Sequence, residues 1–265
     1  MEDMRPIIKR GIENGQYPSR LYKYRTLDSA IRSLKEPSIY LASVLEFNDP
    51  YEAHYVLDSN NSVQQWTSFL EQQGVPSAIA VAKAKQLSYL PKEAAKIQKE
   101  EIDKILQNSG VFCFSKLNDS ILMWSYYTDN HRGVCIEYDP IQDEQLCNLL
   151  LPVKYSDDYI KFNYLTDQEG PKNAILQKAE CWAHEEELRM IWPQKAGTIL
   201  KLNPHAITSV ILGCNFNEPL KDKEKELEFV NKRKGLLDLL KEPRYSHVKI
   251  KQCTLADDKY KLIIK

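Results

Sequence analysis

The chain has 265 residues, 43% of them hydrophobic and 28% charged, with a formal net charge of −1. This composition predicts a soluble globular protein large enough to bury a sizeable core without staples. The near-zero balance argues against electrostatic nucleic-acid binding by the chain as a whole, while leaving room for one local basic groove.

Taken in chain order, Ile7 to Gly15 reads as a short amphipathic helix ended by Asn14-Gly15. Leu21 to Arg25 alternates as a strand, with Tyr22 and Tyr24 on one face and Leu21, Lys23 and Arg25 on the other. Asp28 is the expected cap of a helix over 29–35, stopped by Pro37. Ser38 to Ser43 is a second strand, leading into the turn Phe47-Asn-Asp-Pro50.

From Ser62 to about Gln107 the pattern turns helical, with breaks at Gly74-Val-Pro76 and Pro91. Three helices are expected there, as an insertion or cap on a main sheet. Apolar strands follow at 110–115, 133–138 and 149–155, with a short helix from Asp119 carrying Met123-Trp-Ser-Tyr-Tyr127. Asn173 to Trp182 reads as helix and Glu187 to Trp192 as strand. Short strands at 198–202 and 208–212, a charged helix over 218–241, and strands at 247–253 and 260–264 complete the chain. Helices and strands do not alternate regularly, which favours a single α+β domain over 1–265 with a mixed, mainly antiparallel sheet. The helical insertion falls at about 62–108.

The six cysteines form no CxxC pair and are irregularly spaced, as expected of thiols in a reducing compartment. The N-terminal residues lack the apolar core of a secretory signal, and no stretch reaches the ~18 apolar residues of a membrane span. The expectation is a cytoplasmic protein without membrane contact. Dinucleotide and P-loop glycine motifs, HExxH, zinc spacings and a GxSxG elbow are all missing from the sequence, so no metal ligand is assigned.

Four segments carry candidate chemistry. Arg25, at a strand end beside Lys23 and Tyr24, offers a fork of donors for phosphate or carboxylate, or else pairs with a surface acid. In Phe47-Asn-Asp-Pro-Tyr-Glu52, Asn48 and Asp49 either hold the turn or meet a ligand, and Glu52 exceeds what a turn requires. Trp124 and Ser125 belong to an aromatic cluster that serves as core or as a stacking wall, followed by His131 and Arg132 in a polar loop. Glu185, Glu187 and Arg189 share one side at period two if Glu187 opens a strand. Like-charge repulsion would then raise the pKa of one carboxylate, unless the run is merely solvated.

These segments, in this order, resemble a bacterial family of unknown function, DUF2971. The resemblance runs through Leu21–Arg25, Ile39–Ser43, Phe47–Glu52, Val111–Ser115, Leu122–Tyr127, His131–Val134, Trp182 with Glu185–Arg189, and Val210–Gly213; Leu188 stands where the family has an aromatic. The order of Arg25, Ser115 or Ser125, and Glu185-x-Glu187 also resembles the Arg–Ser–Glu arrangement of ADP-ribosyltransferases. That resemblance implies an ADP-ribosyltransferase-like fold and NAD as substrate rather than as a bound cofactor. It further implies Arg25 on the phosphates, Tyr24 and Trp124 stacking on nicotinamide, and Glu187, assisted by Glu185, stabilising a ribosyl cation. The expected function is a nucleotide-handling enzyme that carries out NAD-dependent ADP-ribosyl transfer, to a protein or nucleic-acid acceptor, or NAD hydrolysis. Two alternatives stand beside it: a non-catalytic nucleotide- or protein-binding module, and a metal-dependent nucleic-acid-processing effector using Asp49, Glu52 and Glu187.

Overall fold

The structure, a computed structural model, describes residues 3–147 and 150–265. Its first elements are helix α1 (Arg5–Glu13), strand β1 (Leu21–Arg25), helix α2 (Leu27–Lys35), strand β2 (Ser38–Ser43) and a short strand β3 (Tyr55–Leu57). Helices α3 (Val63–Gln72), α4 (Ser77–Ser88) and α5 (Pro91–Asn108) follow, broken where the glycine and prolines fall. Then come β4 (Gly110–Ser115), α6 (Ile121–Tyr127), β5 (Val134–Tyr138), α7 (Glu144–Cys147), β6 (Leu150–Pro152), β7 (Lys154–Tyr155) and β8 (Ile160–Phe162). The last third holds α8 (Gly170–Ile175), β9 (Gln177–Lys178), β10 (Glu187–Trp192), β11 (Thr198–Lys201), β12 (Ile207–Leu212), α9 (Lys223–Leu240), β13 (Lys249–Leu255) and β14 (Leu262–Ile264).

The class is α+β, with a mixed and mainly antiparallel sheet of ten strands among the described residues. In β11-β2-β4, with β10 and β6 alongside, every pairing is antiparallel. In β1-β5-β12-β13-β14 the parallel pair is β12 with β13, joined through α9 as a crossover helix. The two halves meet at one register pair, Tyr22 opposite Ser115. Two adjacent strands that share a single pair must splay, and the space beside that point is where a ligand can enter.

Strand alternation assigns the cores. Phe112, Phe114, Leu188 and Met190 face a cluster packed under α2 and α9, while Val111 and Ile191 face the helices α3 to α5. A third cluster sits beneath α6 and contains Tyr24, Trp124, Cys135, Ile211 and Cys253.

Several boundaries differ from the sequence expectation for identifiable reasons. Thr26, rather than Asp28, caps α2 by accepting from the Ser29 N–H. Helix α6, expected from Asp119, starts at Ile121 with Ser120 as its cap. The helix expected over 173–182 ends at Ile175, and its remainder forms β9 and a 3-10 turn over Glu180–Glu185. Pairing of β9 with β7 overrides the local helical pattern there. The strand expected over 149–155 becomes β6 and β7, with Leu149 outside the described residues.

The chain from α6 into β5 is set by close backbone approach. Asp129, Asn130 and His131 are all left-handed (φ 51°, 54° and 65°), and a Cβ on Gly213 would lie 2.1 Å from the His131 carbonyl oxygen. The expected result for Gly213→Ala is a loss of about 1–3 kcal/mol of stability, from overpacking against backbone that cannot yield. Urea denaturation checks it; an unchanged midpoint would contradict the close approach.

Candidate functional site

A cavity of about 160 Å³ opens where β1 and β4 part. Tyr22, Lys23 and Tyr24 line it from β1, and Cys113, Phe114 and Ser115 from β4. Met123 and Tyr127 of α6, Phe47 and Asn48 of the preceding loop, and a group of charged side chains complete the wall.

That group is Glu52, Glu185, Glu187, Lys178 and Arg189, every one of them buried. Arg189 projects from the middle of β10, whose six residues are all buried. Its guanidinium pairs with both oxygens of Glu52 (2.9 Å each) and both oxygens of Glu187 (3.1 and 3.0 Å), and donates to the Ile175 carbonyl. The Phe47 ring lies 5.3 Å from the guanidinium carbon. Such a bidentate arrangement suits the planar fork of arginine, and it satisfies charges that would be expensive to bury alone.

Glu52 reaches this point because of the turn before it. The Asp49 carboxylate accepts the Tyr51 N–H at 2.9 Å, closing the turn that delivers Glu52. Asp49 therefore shapes the loop, and Glu52 enters the charged group. Glu185 and Glu187 both line the cavity because Glu186 adopts a left-handed conformation (φ 42°, ψ 56°) between the 3-10 turn and β10. Glu186 is held there by its carbonyl, which accepts from the Lys116 N–H at 3.1 Å. Strained backbone of this sort persists where its surroundings enforce it.

Lys178 donates to Glu185 at 2.6 Å and stands 3.5 and 3.6 Å from Glu52 and Glu187. Tyr127 donates its hydroxyl to the other Glu185 oxygen at 2.7 Å. The Ser115 hydroxyl donates to the Glu185 carbonyl at 2.6 Å, so it fixes the backbone that carries Glu185.

The electrostatics follow from these contacts. Burial opposes ionisation of Glu187, yet Arg189 and Lys178 outweigh it and bring its pKa down to about 2. The sequence had suggested that like-charge repulsion would push one carboxylate up; at Glu187 two cations reverse the sign. Burial likewise opposes charge on Lys178, but Glu187 and Glu185 raise its pKa to about 12. Lys23 is different: burial, then the charge of Arg25, bring its pKa down to about 8.

Because Glu187 binds its proton more weakly in the folded state than in the unfolded chain, its contribution to stability is fully present above pH 4.5, the ordinary carboxyl value. That contribution is lost as pH falls toward 2, and is on the order of 3 kcal/mol. Unfolding free energies measured across this range should fall more steeply for wild type than for Glu187→Gln; parallel slopes would contradict the assignment.

The structure gathers Lys23, Tyr24, Asn48, Glu52, Ser115, Glu185, Glu187 and Arg189 at the cavity and places Arg25, Asp49, Trp124, Ser125, His131 and Arg132 outside its lining. Trp124 is fully buried, donates its indole N–H to the Asn118 carbonyl and meets Tyr24 edge-on, so it has no free face for a ligand ring. His131 stacks on Trp124, with its Nε2 3.0 Å from the Ser125 hydroxyl. His131 and Arg132 belong to the turn that closes α6, with N–H groups bonded to the carbonyls of Trp124 and Thr128. Arg25 lies over the Phe112 ring and opens into a separate groove.

Lys178 and Tyr127 were not among the sequence candidates. Tyr127 carried a signal, its i,i+4 spacing from Met123, which fits a core face and a cavity wall equally well. Lys178 carried none. Among the described residues no group of three His, Cys, Asp or Glu could hold a metal ion, and the guanidinium of Arg189 occupies the space between Glu52 and Glu187.

Residues 123–190 match the family described as "Protein of unknown function (DUF2971)". The matched stretch supplies Met123, Tyr127, Lys178, Glu185, Glu187 and Arg189 to the cavity, while β1, β4 and the Phe47–Glu52 loop lie outside it. The chain is also 26% identical over 138 residues to the ribosome-binding ATPase YchF of Mycoplasma genitalium, covering 48% of this chain and 35% of that protein. The chain thus spans about a third of that relative's length. No solved structure matches the chain significantly.

Proposed function

We propose that the chain is a nucleotide-handling enzyme that breaks the N-glycosidic bond of NAD at this cavity, passing ADP-ribose to an acceptor or to water. The observation that carries the reading is the pair of carboxylates, Glu185 and Glu187, at an aromatic-walled cavity between two splayed strands. As that bond breaks, its electron pair leaves with nicotinamide, which becomes neutral, and positive charge develops on the ribose. A carboxylate fixed beside that charge stabilises the transition state without having to reorganise.

The contacts favour exchanging the two carboxylate roles that the resemblance implied. Both Glu187 oxygens are engaged by one guanidinium, which makes Glu187 the anchor of Arg189. Glu185 also takes one donor on each oxygen, but from two separate groups, Tyr127 and Lys178, and it pairs with no guanidinium. Glu185 is therefore assigned the transition-state charge, with Tyr127 and Lys178 orienting it. Lys23, with a pKa near 8, is suited to take the proton of an attacking hydroxyl or water. Phe47, Met123 and Tyr127 supply apolar surface for the nicotinamide ring. At about 160 Å³ the cavity has room for one ring, so the ribose would sit at its mouth and the rest of the dinucleotide would extend outside it.

ATP hydrolysis, as named for the Mycoplasma genitalium protein, finds no GxxxxGK[ST] loop in this sequence to support it. One observation favours a second reading: every carboxylate of the cluster already has a partner within the protein, which suits a binding module without chemistry. Purified chain incubated with NAD separates the two. Nicotinamide release supports the enzyme; a raised melting temperature without product supports the binding module; neither effect removes NAD as the ligand.

A further inference from the structure

A second concavity, about 340 Å³, lies between α2 and the β2–β11 edge of the sheet. Arg25 enters it from the end of β1; Ser29, Arg32 and Ser33 line it from one face of α2; Ser38 and Tyr40 line it from β2, and Ile199 from β11. The spacing 29, 32, 33 is one helical face, and 38, 40 is one strand face, so two regular elements present these side chains together.

Two observations set this groove apart from an ordinary surface patch. The Nε–H of Arg25 is buried and has no acceptor among the described residues. Arg32 shares the groove, and no carboxylate lines it. Arg32 gives one N–H to the Ser29 hydroxyl at 3.2 Å, which orients it without neutralising it. Glu46, which accepts from the Tyr40 hydroxyl, also accepts the Ser43 N–H and belongs to the turn after β2. Burial, and after it the like charge of Arg32, lower the pKa of Arg25. Two guanidinium groups in one concavity, one of them with an unpaired buried donor, form an arrangement that an anion completes.

We propose that this groove is a binding site for a phosphate-bearing small molecule, separate from the cavity, in which Arg25 and Arg32 grip phosphate oxygens and the hydroxyls of Ser29, Ser33 and Ser38 donate to them. Phosphate matches the fork geometry of arginine, and three neighbouring hydroxyls suit its several oxygens. The site does not depend on the NAD reading. Lys23 and Arg25 both contact the Phe112 ring, at 4.8 and 5.4 Å from its centroid, but Lys23 lines the cavity and Arg25 the groove.

The test titrates inorganic phosphate and inorganic pyrophosphate into the full chain at constant ionic strength, by calorimetry. Saturable binding is expected for wild type, weakened at least tenfold in Arg32→Gln and in Arg25→Gln, and unchanged in Lys23→Met. Arg32 sits on the surface of α2, so its substitution keeps the test valid if Arg25→Gln fails to fold. Tighter binding of pyrophosphate than of phosphate would identify a diphosphate group as the ligand; the reverse order would identify a single phosphoryl group. No saturable binding to wild type, an unchanged affinity in Arg32→Gln, or a loss confined to Lys23→Met would overturn the proposal. Nicotinamide release plays no part in this readout, so either reading can fail alone.

Discussion

Arg189→Met is expected to destabilise the protein by about 3–5 kcal/mol, a large share of the 5–15 kcal/mol that holds a typical domain folded. Methionine fills much of the same volume, so the loss comes from charge rather than from a void. Arg189 is 0% exposed and bonds Glu52 and Glu187 together; without it, both carboxylates remain buried beside a single lysine. Urea unfolding reads the effect. Adding Glu187→Gln to Arg189→Met should recover part of the loss, because it removes one of the stranded charges. A destabilisation below about 1 kcal/mol would mean the cluster tolerates an unpaired carboxylate, contrary to its packing.

Glu185→Gln is expected to lower the rate of nicotinamide release from NAD by 10²–10³-fold while leaving the fold intact, the magnitude typical of removing one preorganised electrostatic group from a transition state. The amide is nearly isosteric and its oxygen still accepts from Tyr127, while its NH2 now faces Lys178, which keeps Glu52 and Glu187 at 3.5 and 3.6 Å as partners. What the amide cannot supply is negative charge against a developing ribosyl cation. The loss should therefore fall on kcat rather than KM. Glu187→Gln is the less clean experiment, since it also loosens Arg189.

The parts of this site that were legible in the sequence are those set by local rules. Glu187 and Arg189 alternate on one strand, and β10 places both on the same face. The excess of polar residues in Phe47–Glu52 pointed to a site, though the sequence could not divide Asp49, which makes the turn, from Glu52, which leaves it. Residues held by long-range pairing were not legible. Lys178 sits on a two-residue strand formed only because β7 is beside it, and its segment otherwise reads as helix. Arg25 and Lys23 occupy equivalent positions along β1, yet one opens into the cavity and the other into the groove. Strand alternation cannot distinguish them, because the separation depends on where β1 parts from β4. Trp124 was misplaced for the opposite reason. An aromatic at helical spacing fits a core or a stacking wall equally well, and burial against Tyr24 decides for the core.

Cleavage of NAD at this cavity requires the Glu185 charge, and one side-by-side measurement addresses that directly. Wild type and Glu185→Gln, both shown to be folded at the assay temperature, are incubated with NAD while free nicotinamide is followed over time. Steady release by wild type, with release by the variant reduced at least a hundredfold, is the predicted result. No release by wild type, or equal release by both proteins, would contradict it.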